Sequence, residues 1–306
     1  MPIVNRRYFI SNTFKAITAV ALIHNHDVLD KYRPLLSFST LGCPDWNFET
    51  ILNFAVEHGY DGIEFRGILR QLDLTKCPEF SSKKNILASR KLIEDKKLKV
   101  VNLGSSAVMH HADAAERKRN LDEAKNFIQL AQQLGSPYIR VFPNNFPKER
   151  EKKETIDLIV KGLHELGDYA KNFDVTVLLI THGDVMHIED LENIMRSVGH
   201  DHVGLGWDIA NMWSATKEPP EQVYARLKKY IRLTFIKDLK RVDGKEQNAL
   251  LGKGYTPIFD AIDILAKDGY EGYYSFEWEK YWDPKLEEPE LAIADYAKVM
   301  KQHFKM

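Results

Sequence analysis

The chain has 306 residues, 44% of them hydrophobic and 28% charged, which excludes disordered and collagen-like proteins and allows a sizeable core. Because 43 basic residues nearly balance 44 acidic ones, a nucleic-acid partner held by bulk positive charge is disfavoured. The sequence has no run of the roughly 20 apolar residues that a membrane-spanning helix needs, so we expect no stable membrane anchor. Its two cysteines, Cys43 and Cys77, are too few for a disulfide scaffold, and their pairing is left open.

Residues 1–30 have the layout of an export signal rather than of a folded element. Arg6 and Arg7 precede an apolar stretch over residues 14–23, and Phe9 stands two positions after the pair, as in twin-arginine signals. A basic residue inside the stretch and an early small-x-small site are atypical, so a short N-terminal helix in a cytoplasmic protein is the alternative. We expect an exported, periplasmic protein, with signal cleavage left open.

From residue 31 onward, short apolar or β-branched runs alternate with longer amphipathic segments. The runs predict strands at Leu35–Ser39, Gly62–Phe65, Val100–Leu103, Tyr138–Phe142, Thr176–Thr181, Val203–Asp208, Leu233–Lys237 and Gly272–Glu277. The segments predict helices at Asn47–His58, Lys83–Lys97, Ala114–Leu134, Lys152–Phe173, Ile188–Val198, Pro220–Tyr230, Thr256–Asp268 and Leu286–His303. Eight such units predict a single-domain α/β protein, a (β/α)8 TIM barrel over residues 31–306. A doubly wound sheet is disfavoured because no Gly-x-Gly-x-x-Gly motif follows a predicted strand.

Titratable and polar side chains crowd the C-terminal ends of these strands, where the active sites of such barrels lie. They are Glu64, Arg66, His110, Arg140, His182, Trp207, Asp208, Asn211, Lys237, Glu277 and Glu279. Because isolated charges are costly to bury, this collection predicts recognition of an anionic or polyhydroxyl small molecule. Ion pairs of Glu64 with Arg66 and of Lys237 with Asp238 that merely brace the rim are the structural alternative.

Several segments resemble the sugar phosphate isomerase/epimerase family of xylose-isomerase-like barrels. They are LSFSTLGCPDW at 36–46, GYDGIEFRG at 59–67, VGLGWDIANMW at 203–213, FIKD at 235–238 and GYEGYYSFEWEKYW at 269–282. The resemblance runs from about residue 35 to the end of the chain and implies a barrel enzyme that acts on a small-molecule carbohydrate. The more distant endonuclease IV branch would imply a zinc nuclease, which the incomplete ligand set and the lack of positive charge disfavour.

The resemblance also implies a metal site. Members of the family usually hold one divalent ion with a Glu after strand 5, an Asp after strand 6, a His on strand 7 and a Glu after strand 8. Asp208 and Glu277 match two of these positions, whereas Ile180 and Phe235 stand at the other two. The implied ligands of Mn²⁺, Mg²⁺ or Zn²⁺ are therefore Asp208 and Glu277, joined by His182.

The implied reaction is isomerisation or epimerisation by proton abstraction next to a carbonyl, assisted by the metal. We assign catalysis to Glu277 as the base, with His182 and Lys237. We assign substrate binding to Glu64, Arg66, His110, Arg140, Trp207, Asn211 and Glu279. A lyase on oxidised sugars and a sugar-binding protein that has lost catalysis are the alternatives, and the sequence leaves open the substrate and whether the chain forms a homo-oligomer.

Overall fold

In the computed structural model, which describes residues 32–306, eight parallel strands close into a barrel. The barrel strands are β1 (Leu35–Ser39), β2 (Gly62–Phe65), β3 (Lys99–Val108), β4 (Tyr138–Phe142), β5 (Thr176–Ile180), β6 (Val203–Asp208), β7 (Ile231–Ile236) and β10 (Tyr273–Phe276). They follow the order β1-β10-β7-β6-β5-β4-β3-β2 around the barrel. The predicted (β/α)8 barrel is confirmed, and the predicted export signal lies outside the described residues.

Nine α-helices lie in the described part of the chain, and local sequence signals explain several of their ends. They are α1 (Phe48–Glu57), α2 (Lys83–Asp95), α3 (Ala114–Leu134), α4 (Lys152–Ala170), α5 (Ile188–Val198), α6 (Ile209–Thr216), α7 (Pro220–Leu227), α8 (Ile258–Lys267) and α9 (Pro289–His303). Asn47 caps α1, because its Oδ1 accepts a hydrogen bond from the Thr50 N–H at 2.9 Å. Gly135 ends α3 with a φ of 74°, a conformation that favours glycine. Within residues 32–306, none of the helices combines the length and the apolar character needed to cross a bilayer.

Two features of the fold are not predicted by the sequence pattern. Strands β8 (Asp238–Val242) and β9 (Lys245–Ala249) form an antiparallel hairpin after β7, and α6 directly follows β6. The hairpin is rich in charged residues, so it lacks the apolar run that marks a buried strand. Helix α6 begins where Asp208 Oδ1 accepts a hydrogen bond from the Asn211 N–H at 2.9 Å, so a predicted site residue also serves as its cap.

The inside of the barrel is filled by a small apolar cluster separate from the main core. It consists of Val101, Leu178, Ile180, Leu233 and Phe235. Gly206 makes room for it, because a Cβ atom at this position would lie 2.7 Å from Cε2 of Phe235. Cys43 and Cys77 are both buried and free.

Candidate functional site

A small cavity of about 60 Å³ lies at the C-terminal ends of the barrel strands. Its lining residues are Leu41, Arg66, Arg140, Phe142, Ile180, His182, Asn211, Glu277, Glu279 and Trp282. Six of the predicted site residues therefore line one cavity. No role is predicted from the sequence for Leu41, Phe142 or Trp282. Phe142 could have been found, because it stands two residues after Arg140 in a strand and so faces the same side.

The ammonium group of Lys237 is enclosed by carboxylates next to this cavity. Its Nζ lies 3.0 Å from Oδ2 of Asp208, 3.0 Å from Oε2 of Glu277 and 2.6 Å from Oε1 of Glu279. Asp208 ends β6, Lys237 follows β7 and Glu277 follows β10, and these three strands are neighbours in the barrel. Lys237 is 1% exposed, so its charge is neutralised inside the protein rather than by water. We call Lys237, Asp208, Glu277 and Glu279 the lysine–carboxylate cluster.

The two ion pairs of the structural alternative are not the ones that form. Lys237 faces the cluster, whereas Oδ2 of the neighbouring Asp238 accepts hydrogen bonds from the N–H groups of Gly252 at 3.0 Å and Gly254 at 2.8 Å. Asp238 therefore fastens the loop that leads to α8. Glu64 lies 4.0 Å from Arg140 Nη2, while Arg66 Nη2 donates a hydrogen bond to Oγ of Ser106 at 3.0 Å.

Glu277 and Asp208 share the Lys237 ammonium, yet their pKa values separate. Burial opposes the ionisation of Glu277, but Lys237 and Arg140 outweigh it and lower the pKa of Glu277 to about 2. Burial dominates at Asp208 and raises its pKa to about 7 against the attraction of Lys237. Glu277 is thus ionised at neutral pH and able to accept a proton at the cavity wall.

His182 lines the same cavity as a neutral imidazole. Its Nδ1 lies 3.2 Å from Oδ1 of Asn144, and its ring packs edge-on against Phe142 with 4.9 Å between the ring centres. Burial, with the positive charges of Arg140 and Lys237, lowers the pKa of His182 below its usual value. Asn144 therefore orients the ring through Nδ1, which leaves Nε2 as the nitrogen for proton exchange with a ligand.

Three predicted substrate-binding residues do not line the cavity. Trp207 stacks on Tyr224 of α7 with 6.3 Å between the ring centres, so it faces the helix layer. Consecutive strand residues point to opposite sides, so Trp207 and Asp208 cannot both face the barrel interior. His110 stacks on His111 at 4.3 Å in the loop after β3. Glu64 is fully buried and accepts a hydrogen bond from Asn102 Nδ2 at 3.2 Å.

Glu64 predicts a pH dependence of stability. Burial raises its pKa from 4.5 to about 7, although Arg140 opposes this. The folded protein thus binds this proton more tightly than the unfolded chain, so Glu64 contributes stability that is complete below about pH 4.5 and lost as the pH rises through 7. Glu64→Gln cannot ionise, so from pH 5 to pH 8 its free energy of unfolding should gain about 2–3 kcal/mol relative to wild type.

Urea unfolding at four pH values between 5 and 8 measures this difference. The control is Glu57→Gln on the exposed end of α1, whose curve should run parallel to that of the wild type. A Glu64→Gln curve that also runs parallel to wild type would show that Glu64 is already ionised in the folded protein at pH 5.

The donors around Asp208 and Glu277 do not fit a bound divalent metal. Across residues 32–306, no group of three or more His, Cys, Asp or Glu side chains comes together in a way that could hold a metal ion. An ammonium group already contacts both carboxylates, and Ile180 and Phe235, at the other two positions of the family pattern, belong to the apolar cluster inside the barrel. His182 contacts Asn144 instead. The ligand set Asp208, Glu277 and His182 stays a prediction that this arrangement does not support.

Comparisons with known proteins agree with this fold. The chain is 24% identical over 264 residues to the inosose isomerase of Halalkalibacterium halodurans, which covers 83% of this chain and 91% of that protein. It is also 24% identical over 188 residues to an L-ribulose-5-phosphate 3-epimerase of Salmonella paratyphi B, covering 60% of this chain and 63% of that protein. Both relatives are sugar isomerases or epimerases by name.

The fold is shared with solved structures, including one of the IOLI protein with a bound zinc atom. That structure has a TM-score of 0.73 and 23% sequence identity, and the match covers 88% of this chain and 98% of that one. The pattern of the xylose isomerase-like TIM barrel family matches residues 52–303. The chain therefore belongs to the xylose isomerase-like TIM barrel family.

Proposed function

We propose that this member of the xylose isomerase-like TIM barrel family is a sugar isomerase whose base is Glu277, kept ionised by Lys237 rather than by a metal ion. The observation that carries this proposal is the placement of Glu277. It lines the cavity, its Oε2 lies 3.0 Å from Lys237 Nζ, and its pKa is lowered to about 2. The names of the curated relatives support the sugar isomerase or epimerase class.

In the proposed reaction, the Glu277 carboxylate removes a proton from the carbon next to a substrate carbonyl. The C–H electron pair forms a carbon–carbon double bond, and the carbonyl π electrons move to the oxygen, which gives an enediolate. The guanidinium groups of Arg66 and Arg140 line the cavity and stabilise this negative charge. Nε2 of His182 moves a proton between the two substrate oxygens. Glu277 then returns its proton to the neighbouring carbon, so no proton or electron is gained or lost overall.

Isomerisation fits the cavity better than epimerisation does. An isomerase moves the proton between neighbouring carbons with one base, whereas an epimerase that inverts a carbon needs a second group on the opposite face. Ile180 lines the cavity at the position where the family pattern implies the second carboxylate. Glu279 also lines the cavity, but its Oε1 lies 2.6 Å from Lys237 Nζ, beside Glu277 in the same cluster.

Lys237 acts in this proposal as a positioning residue. Its Nζ is surrounded by Asp208, Glu277 and Glu279, and Lys237 is not among the residues that line the cavity. It therefore acts through Glu277, whose carboxylate it orients and keeps ionised.

Deuterium exchange tests the proposed function directly. The protein is incubated in D₂O with a panel of aldoses, ketoses, inososes and hexuronates, and the sugars are examined by proton NMR and mass spectrometry. We expect one carbon-bound hydrogen next to the carbonyl of a substrate to be replaced by deuterium. Binding of a sugar with no exchange into any panel member would contradict the proposal and favour the sugar-binding alternative.

A further inference from the structure

We infer that the substrate is a sugar acid, whose carboxylate is bound in the cavity by the guanidinium groups of Arg66 and Arg140. This inference rests on the proposed function for the reaction, but the binding it describes does not require turnover. The two arginines are predicted site residues, and the structure adds which of their nitrogen atoms lack a hydrogen-bond partner. Nη1 of Arg66 and both Nε and Nη1 of Arg140 are buried and have no hydrogen-bond partner.

Buried guanidinium nitrogens without partners are rare because their desolvation is not compensated. Arg66 is only 4% exposed and Arg140 only 1%, so bulk water reaches little of either side chain. Both side chains line the same cavity as Glu277. An anionic ligand in this cavity would supply the acceptors that the protein does not.

The barrel is shaped to bring these two cations together. Arg66 follows β2, Arg140 lies in β4, and Gly104 of the intervening β3 separates them. A Cβ atom at Gly104 would lie 2.5 Å from Cδ of Arg66 and 3.0 Å from Nη2 of Arg140, so glycine leaves the space that both side chains use. Burial and the charge of Arg140 lower the pKa of Arg66 to about 10, so Arg66 stays charged at neutral pH and is repelled by Arg140. A bound anion would relieve this repulsion.

The surrounding charges favour a monoanion such as a carboxylate over a phosphate dianion. Glu277 and Glu279 already pair with Lys237, and Glu64 comes no closer than 4.0 Å to Arg140. The ligand would also lie in the same cavity as the ionised Glu277, which repels a dianion more strongly than a monoanion. The three cations Lys237, Arg66 and Arg140 exceed the two carboxylates Glu277 and Glu279 by one charge, which a single negative charge on the ligand neutralises.

The two arginines also face the enediolate of the proposed reaction, but that charge exists only during turnover. A transient charge leaves the unpartnered nitrogens of the resting protein unexplained, whereas a permanent carboxylate on the substrate satisfies them on binding. The two roles are separable because only the carboxylate predicts binding of simple acids without a reacting carbonyl.

NMR titration of arginine side chains tests this inference with small probe anions. Nε–H signals of ¹⁵N-labelled protein are assigned with Arg66→Lys and Arg140→Lys, and glycolate, inorganic phosphate and chloride are titrated separately. We expect glycolate to shift the Arg140 Nε–H signal saturably and more tightly than phosphate. Each Arg→Lys variant should weaken glycolate binding by about 10-fold or more, because a hydrogen bond between charged groups is lost. The matched control is Arg226→Lys, whose exposed side chain pairs with Glu192 outside the cavity.

Calorimetry with D-glucuronate and D-galacturonate against D-glucose and D-galactose extends the test to sugars, and we expect the acids to bind more tightly. Tighter binding of phosphate than of glycolate would overturn the carboxylate assignment in favour of a phosphorylated sugar. Glycolate shifts no larger than those of chloride, or affinities unchanged in both arginine variants, would overturn the inference altogether. Glycolate binding without deuterium exchange into any sugar would contradict the proposed function while leaving this inference intact.

Discussion

Glu277→Gln is expected to lower the rate of deuterium exchange into the substrate by about 10²- to 10⁴-fold, the usual contribution of a general base. The amide has nearly the shape of the carboxylate and can still accept a hydrogen bond from Lys237, so the fold should persist. It cannot accept the substrate proton, however, so the chemical step should fail while sugar binding remains. Single-turnover exchange in D₂O, with calorimetry for binding, measures the two effects separately.

The matched control is Glu287→Gln. Glu287 lies near the same end of the barrel but is 38% exposed, and its Oε1 is 3.8 Å from Lys240 rather than in the cavity. Its exchange rate should equal that of the wild type. Full exchange activity in Glu277→Gln would remove Glu277 from the role of base and move the search to Glu279 or His182.

Lys237→Met is expected to lower the free energy of unfolding at pH 7 by about 3–5 kcal/mol, because it leaves buried carboxylates without their cation. In the wild type, the lowered pKa of Glu277 contributes stability that is present above about pH 4.5 and lost as the pH falls towards 2. Without Lys237 the pKa of Glu277 should rise, so this contribution disappears. The deficit of the variant should therefore be largest near neutral pH and shrink on acidification.

Urea unfolding at pH 7 and pH 4 measures this change, and the activity profile distinguishes positioning from simple structural support. The acidic limb of the exchange rate should move to higher pH in Lys237→Met, since Glu277 then protonates more easily. Lys228→Met is the control, because Lys228 is 52% exposed and pairs with Asp268 at 3.2 Å; it should change stability by less than about 1 kcal/mol. An acidic limb that stays in place would show that Lys237 does not govern the ionisation of Glu277.

The barrel is predictable from the sequence because the apolar runs of the strands and the amphipathic pattern of the helices are both strong. Runs such as residues 203–208 are apolar nearly throughout, and helices such as α3 end at a glycine, so strand and helix can be separated without tertiary information. The β8–β9 hairpin is missed because its stability comes from backbone pairing between polar strands, which leaves no apolar signal.

The site is predictable as a set of residues but not as a set of contacts. Position at the strand ends is enough to find Arg66, Arg140, His182 and Glu277. The sequence cannot decide whether Lys237 pairs with the adjacent Asp238 or reaches Asp208 and Glu277 on neighbouring strands, because a long side chain allows either. The structure decides for the neighbouring strands. Ile180 and Phe235 are compatible with this pairing, because Lys237 supplies the positive charge and no metal ligand is needed at either position.

Metal content is the most direct test of the central claim, which is that Lys237 rather than a metal ion keeps Glu277 ionised. Plasma mass spectrometry would be applied to protein purified without chelator, and again after loading with Mn²⁺ and desalting. We expect far less than one metal ion per chain in both samples, with deuterium exchange unaffected by EDTA. Near-stoichiometric Mn²⁺, Mg²⁺ or Zn²⁺ that is retained through desalting would contradict it and restore Asp208, Glu277 and His182 as the metal ligands.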